Sequence, residues 1–183
     1  LESGKLKLEP QSLNLVTFCK DLTVDYEALC QQKNIIFHFL PSRTIIRVEF
    51  DPEKMEILLS NLISNAFKYT PEGGKIVLSI DETDEKVTLV VEDNGIGIQK
   101  EFQEVIFDRF FQIENTEIFS TGDGIGLSFV KHLVELHDGT IRVESELNKG
   151  AKFIVELPKK ERVDEPVSSE EEIIIVPKSV KEN

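Results

Sequence analysis

Apolar residues recur at Phe18, Leu22, Tyr26, Leu29 and Cys30. This is the three-to-four spacing of one helical face, and it predicts a helix over 18–33. A short apolar run from Ser12 to Val16 reads as a strand before it. Ile35 to Leu40 and Thr44 to Phe50 are β-rich runs separated by Pro41-Ser42. Asp51-Pro52-Glu53 then opens a helix: Asp51 suits the N-cap, Pro52 the first helical position, and Glu53 the positive end of the helix dipole. The pattern carries this helix to Tyr69, where Pro71-Glu72-Gly73-Gly74 stops it. Alternation predicts strands over 75–80 and 86–92, joined by the turn Asp81-Glu82-Thr83-Asp84-Glu85. Gln99 to Phe111 is amphipathic, and Gln112 to Asp123 has no period. Gly124 to His137 reads as a helix closed by Asp138-Gly139. Thr140 to Ser145 and Ala151 to Leu157 form a last strand pair, turning at Asn148-Lys149-Gly150. Several mostly antiparallel strands and a few helices predict an α+β fold. Its layered solution is a two-layer α/β sandwich with helices on one face of a mixed, mostly antiparallel sheet.

The 183 residues suffice for one domain with a real core. The longest apolar runs are about five residues, far short of the roughly 20 of a membrane helix. The chain opens on Leu1 rather than Met and carries no signal-peptide pattern, as expected of a piece of a longer protein. Its formal net charge of −13, with no basic stripe, argues against a nucleic-acid partner. An acidic chain can still bind a polyphosphate through local cations, backbone N–H donors or a divalent metal. Cys19 and Cys30 stand eleven residues apart on one predicted helix. That is roughly 16 Å, too far for a disulfide, so both are expected to be free, as in a reducing cytosol. Residues 159–183 lose all pattern and hold seven acids and five bases with Pro166 and Pro177, the composition of a flexible linker. Ile173 to Val176 interrupt it with an apolar run that fits a docking strand or the start of a neighbouring domain.

Four constellations could carry chemistry. On the helix around NLISNAFKY, Asn61, Asn65 and Lys68 fall within about 60° of one another at 100° per residue. They border an apolar arc of Met55, Leu58, Leu59, Leu62 and Ala66. Asparagine is a poor helix former, so two at i, i+4 suggest a specific use. An amide oxygen suits Mg²⁺, and an ammonium suits a phosphate. The second is VVEDNGIGI, where a hairpin turn accounts for Asn94-Gly95 but not for Gly97 or the flanking isoleucines. The third is Gly122-Asp123-Gly124-Ile125-Gly126-Leu127, just before a helix. It is neither a dinucleotide fingerprint nor a P-loop, yet glycines at a helix N-terminus let backbone N–H groups approach an anion. The fourth is aromatic: Phe102, Phe107, Phe110, Phe111, Phe119 and Phe129 supply half of the twelve phenylalanines. They suit local core, or anchors for a loop that closes over a site. The acidic turn 81–85 lacks the glycine and the terminal glutamate of a calcium loop.

In order along the chain, NLISNAFKYT, DNGIGI, IFDRFFQ and GDGIGL resemble the N box, first glycine box, F box and second glycine box of sensor histidine kinases. That family shares an ATPase group with gyrase, Hsp90 and MutL. The resemblance spans roughly residues 10–158, and LESGKLKLE resembles the end of the family's dimerisation hairpin. It therefore divides the chain into residues 1–9 from an upstream dimerisation element, a catalytic and ATP-binding domain over 10–158, and a tail over 159–183.

The resemblance implies ATP held between a helical layer and a lid. Asp93 would accept from the adenine amino group, and Gly95 and Gly97 would let the backbone pass close to the base. Asn65 would ligate Mg²⁺ with Asn61 in support, Lys68 would contact phosphate, and Tyr69 would pack beside the nucleotide. Gly122, Gly124, Gly126 and Leu127 belong to the lid and its phosphate contacts. Phosphoryl transfer to a histidine nitrogen then needs positioning and charge neutralisation above all. The implied partners are an upstream histidine-bearing dimerisation domain, which would make the full-length protein a homodimer, and a response-regulator receiver domain. The expected location is the cytoplasmic side of a membrane-anchored sensor.

Two departures stand out. No histidine box occurs: His38, His132 and His137 lie in a strand and in the last helix, and each suits a structural role. The acceptor is thus expected upstream, and this chain alone would not phosphorylate itself. Gln112 also stands where some relatives carry an arginine for the terminal phosphate, leaving Arg109 or another domain for that role. The hydrolysing relatives carry a glutamate base where Asn61 stands, and an amide cannot take that proton. The alternatives are a degenerate nucleotide-binding or docking module, or a gyrase-like hydrolase.

Overall fold

The computed structural model describes residues 6–109, 111 and 126–159. Strand β1 (Gln11–Asn14) enters helix α1 (Leu15–Gln32) directly. The helix begins three residues before Phe18, where the apolar spacing predicts its start, and the reason is Asn14. Its side-chain Oδ1 accepts from Val16 N at 3.2 Å and from Ile46 N at 3.1 Å, so one amide both caps the helix and anchors a distant loop. Cys19 and Cys30 are both free and buried on α1, as their spacing predicts. Burial pushes the Cys19 thiol up to about 12, which leaves it inert.

The runs on either side of Pro41-Ser42 separate into different sheets. Strand β2 (Ile36–Pro41) pairs in parallel with β4 (Lys75–Glu82), whereas β3 (Arg47–Phe50) pairs antiparallel with β1. Helix α2 (Pro52–Tyr69) follows β3, capped by Asp51, whose side chain accepts from Lys54 N. Strand β5 (Lys86–Asp93) forms a hairpin with β4. Two short 3₁₀ turns, Lys100–Phe102 and Val105–Phe107, come next. Helix α3 (Gly126–Leu136) leads to the final hairpin of β6 (Thr140–Glu146) and β7 (Gly150–Pro158).

The main sheet has the order β2-β4-β5-β7-β6, antiparallel apart from β2/β4. Its inner face and the apolar sides of the helices form one core. From α2 come Met55, Leu58, Leu59, Leu62, Ile63 and Ala66; from the sheet come Ile76, Leu78, Leu89, Val91, Phe153 and Val155. The buried α2 positions include every residue of the apolar arc read from periodicity. A mostly antiparallel sheet covered by helices on one face is the expected architecture.

Two consequences position the site. Asp93 ends β5 in the middle of the sheet, with β4 and β7 on either side. The C-terminal end of α2 comes alongside, because Ile96 N donates to the Tyr69 carbonyl at 3.3 Å.

Candidate functional site

The segment after β5 is held by backbone contacts that only glycine allows. At Gly95 a Cβ would collide with the Tyr69 carbonyl. Gly97 has φ +69, and there a Cβ would collide with the Glu146 carbonyl of the β6–β7 turn. Gly95, which a hairpin turn also explains, and Gly97, which it does not, therefore let the segment wedge between α2 and the β6–β7 turn. Asn94 fastens its near side, with Oδ1 accepting from Lys75 N at 2.7 Å.

The Asp93 carboxylate is set before any ligand arrives. Its Oδ1 accepts from Gly95 N at 2.8 Å, and the Ala151 backbone N–H also donates to it. The side chain is buried. Burial raises its carboxyl above the ordinary aspartate value, with Glu92 adding to the rise and the two N–H donors opposing it. A buried carboxylate with this balance favours a further hydrogen-bond donor.

Two side chains and one backbone N–H absent from the sequence-based site complete the wall. Ser145 Oγ accepts from Ile98 N at 2.8 Å and donates to the Gly150 carbonyl at 2.6 Å. Gln103 Nε2 donates to the Ile98 and Ser145 carbonyls at 3.0 and 2.8 Å. Asn148 contributes its backbone N–H to the Ile96 carbonyl at 2.7 Å. Asn148-Lys149-Gly150 was legible as a turn, but nothing in the pattern marked Ser145 or Gln103.

Along α2, Asn61, Asn65, Lys68 and Tyr69 are all half-buried, with Leu62 and Ala66 buried beneath them. Lys68 Nζ stands 4.9 Å from the centroid of the Tyr69 ring. Asn61 Nδ2 donates to the Ile57 carbonyl at 2.8 Å, which fixes the amide and leaves Oδ1 facing the start of α3. A Cβ on Gly126 would stand 2.8 Å from that oxygen, so Gly126 also permits a close approach of α3 to α2. Leu127 is half-buried and packs against the core. Gly122 and Gly124 lie outside the described residues, as do Gln112, Phe110 and Phe119.

Phe102, Phe107, Phe111 and Phe129 pack against the core. The Phe102 and Phe111 rings are 5.7 Å apart, and Phe107 meets Phe153 edge-on at 6.3 Å. His38 and His132 are exposed, and His137 is buried at the end of α3. Among the described residues, no helix is long and apolar enough to cross a membrane. No cluster of three or more His, Cys, Asp or Glu suited to a metal occurs among them.

The structure thus brings the amide stripe of α2, the glycine segment after β5 and the first turn of α3 to one edge of the helical layer. This arrangement defines a class of ATPase domain, and the comparisons agree. The model of the histidine kinase-, DNA gyrase B- and HSP90-like ATPases matches residues 50–161, and the chain belongs to that family. Histidine kinase P4 of Formosa agariphila is 37% identical over 162 residues, which are 86% of this chain and 12% of that protein. The chain therefore spans only a small part of this curated relative. The solved catalytic domain of the histidine kinase ThkA is 33% identical with a TM-score of 0.75, over 83% of this chain and 99% of that one. ThkA in complex with the response regulator protein TrrA is also similar, at 30% identity and TM-score 0.71, over 82% of this chain and 42% of that one.

Proposed function

We propose that this chain is the catalytic domain of a sensor histidine kinase: it binds Mg·ATP and transfers the γ-phosphoryl group to a histidine on a dimerisation domain. Within it, residues 10–158 form the ATP-binding unit, 1–9 the end of the dimerisation element and 159–183 a linker. The observation that carries the proposal is the pre-set Asp93 carboxylate beside a glycine segment that fits only without side chains.

In this reading Asp93 accepts from the adenine amino group, and the same carboxylate repels the carbonyl that guanine would present. The backbone at Gly95 and Gly97 passes the base edge, and the Tyr69 ring borders it. The α2 donors fit a metal–phosphate group by their chemistry: Asn65 offers a neutral amide oxygen to Mg²⁺, and Lys68 offers an ammonium to phosphate. Asn61, held by Ile57, supports the metal side. Mg²⁺, when bound, supplies neutralisation of phosphate charge. Gly122, Gly124, Gly126 and Leu127 bring backbone N–H groups to the phosphates. Asn61 offers no base for water, which favours transfer over hydrolysis. The phosphoryl group then passes to a receiver domain of a response regulator, in a homodimer whose sensor is membrane-anchored and whose kinase faces the cytoplasm.

Calorimetric titration with ATP, with and without Mg²⁺, tests the binding step. Wild type is expected to bind, and absence of binding would sink the nucleotide reading. Asp93→Asn is expected to weaken adenine nucleotides about 10- to 100-fold, the value of one charge-assisted hydrogen bond. An unchanged affinity would remove Asp93 from its role. Supplying the dimerisation domain should yield ATP-dependent phosphohistidine, while sustained phosphate release by the chain alone would favour a hydrolase.

A further inference from the structure

Helix α3 meets α2 at both of its own ends, by a close approach at one and a hydrogen bond at the other. At one end Gly126 opens α3 against the Asn61 amide. At the other, Asp51 N–H, just before α2, donates to His137 Nε2, just after α3, at 3.1 Å. Both Asp51 and His137 are buried. Because Nε2 accepts, the ring proton sits on Nδ1, which faces the Leu133 carbonyl at 2.8 Å. From Asp51 to Asn61 is ten residues, and from Gly126 to His137 eleven. At 1.5 Å per helical residue these spans are about 15 and 16.5 Å, so the hydrogen bond and the close approach are equally spaced along the two helices and together set their axial register.

The same aspartate also holds the entering chain. Asp51 Oδ2 accepts from Glu9 N at 2.8 Å. Glu9 lies two residues before β1, and β1 pairs with β3, whose last residue adjoins Asp51. The entering segment and the start of α2 therefore meet on the Asp51 carboxylate, and the end of α3 meets the backbone N–H of the same buried residue.

We propose that Asp51 and His137 are positioning residues for the nucleotide site. They set the register of α3 against α2, and with it the placement of the first turn of α3 over Asn61. The entering segment bears on that register through the Glu9 N–H. The proposal rests on the nucleotide reading above. It predicts an asymmetry: the adenine pocket belongs to β5 and the β6–β7 turn and does not depend on the register, whereas the phosphate end does.

The test compares ATP with adenosine, using calorimetry on the whole chain. His137→Met removes the acceptor and is expected to weaken Mg·ATP about fivefold, the factor one net hydrogen bond is worth, while adenosine stays within about twofold. His137→Gln restores an acceptor near the position of Nε2 and should recover most of the loss. Glu9→Pro deletes the N–H at an exposed position already followed by Pro10 and should weaken Mg·ATP about threefold, again sparing adenosine. If ATP and adenosine fall together, or neither moves, the pair is merely structural and the proposal is overturned. Should His137→Met not fold, Glu9→Pro decides on the same readout. Were wild type to bind neither ligand, the nucleotide reading would fail on its own. Amide exchange would then test the tie: faster exchange across 126–136 in His137→Met with β5 unchanged supports it, and identical exchange overturns it.

Discussion

Two buried aspartates stand at opposite ends of the helical layer, and they are built to opposite purposes. Asp51 and Asp93 are only 2% and 8% exposed, and each accepts two backbone N–H groups. Burial raises both carboxyls. At Asp51 the N–H groups of Glu9 and Lys54, with the Lys54 ammonium 3.5 Å away, outweigh it and hold the carboxyl below its ordinary value. At Asp93 burial prevails and Glu92 pushes the same way, so the carboxyl sits above its ordinary value. One carboxylate is complete within the chain. The other is oriented but not neutralised, as an acceptor reserved for a ligand would be. Burial and hydrogen-bond count do not separate these two aspartates; the sign of the remaining balance does.

Truncation should separate the two most widely. Asp51→Ala removes the α2 cap and strands the Glu9 and Lys54 N–H groups, so urea unfolding should show a loss of about 3 kcal/mol. Asp93→Ala also strands donors but relieves an unfavourably buried charge, and a loss of only about 1 kcal/mol is expected. Equal losses would break the distinction.

Acid should separate them next, and with opposite signs. Asp51, lowered in the folded state, lends stability that is present above its ordinary value and disappears as pH falls through the lowered one. Asp93, raised in the folded state, lends stability present below its ordinary value and lost as pH rises through the raised one. In the proposed reading the adenine amino group needs Asp93 ionised, so adenosine affinity should decline on acidification while the fold still holds. Titrating wild type and Asp93→Asn from neutral pH downwards checks this: the decline should be present in the first and absent in the second.

These differences explain what the sequence could and could not disclose. Asp51 was legible as a cap because Pro52 and Glu53 follow it, a local signature with a local cause. The apolar arc of α2 was legible because burial follows helical period. The parting of β2 from β3 was not, since strand order is settled by partners far along the chain: β2 finds β4, and β3 finds β1. Gly95 was visible as a turn glycine and Gly97 as a surplus one, but the carbonyls they avoid belong to Tyr69 and Glu146. His137 looked like a core histidine, and its bond to Asp51 spans 86 residues. Ser145 and Gln103 carried no signal at all, being single polar residues in elements defined by their apolar neighbours.

Ser145 gives the smallest and most discriminating test. Its hydroxyl joins Ile98 N to the Gly150 carbonyl, and so joins the outer end of the glycine segment to the residue before Ala151, itself a donor to Asp93. Ser145→Ala removes both bonds but leaves Asn148 N on the Ile96 carbonyl and Gly95 N on Asp93. Stability should fall by about 1 kcal/mol and adenosine affinity by a few-fold, roughly one net hydrogen bond's worth. A loss as large as that of Asp93→Asn would mean that the placement of the segment, rather than the carboxylate it carries, limits recognition. A few-fold loss would agree with the proposal that Asp93 recognises the base and Ser145 supports it.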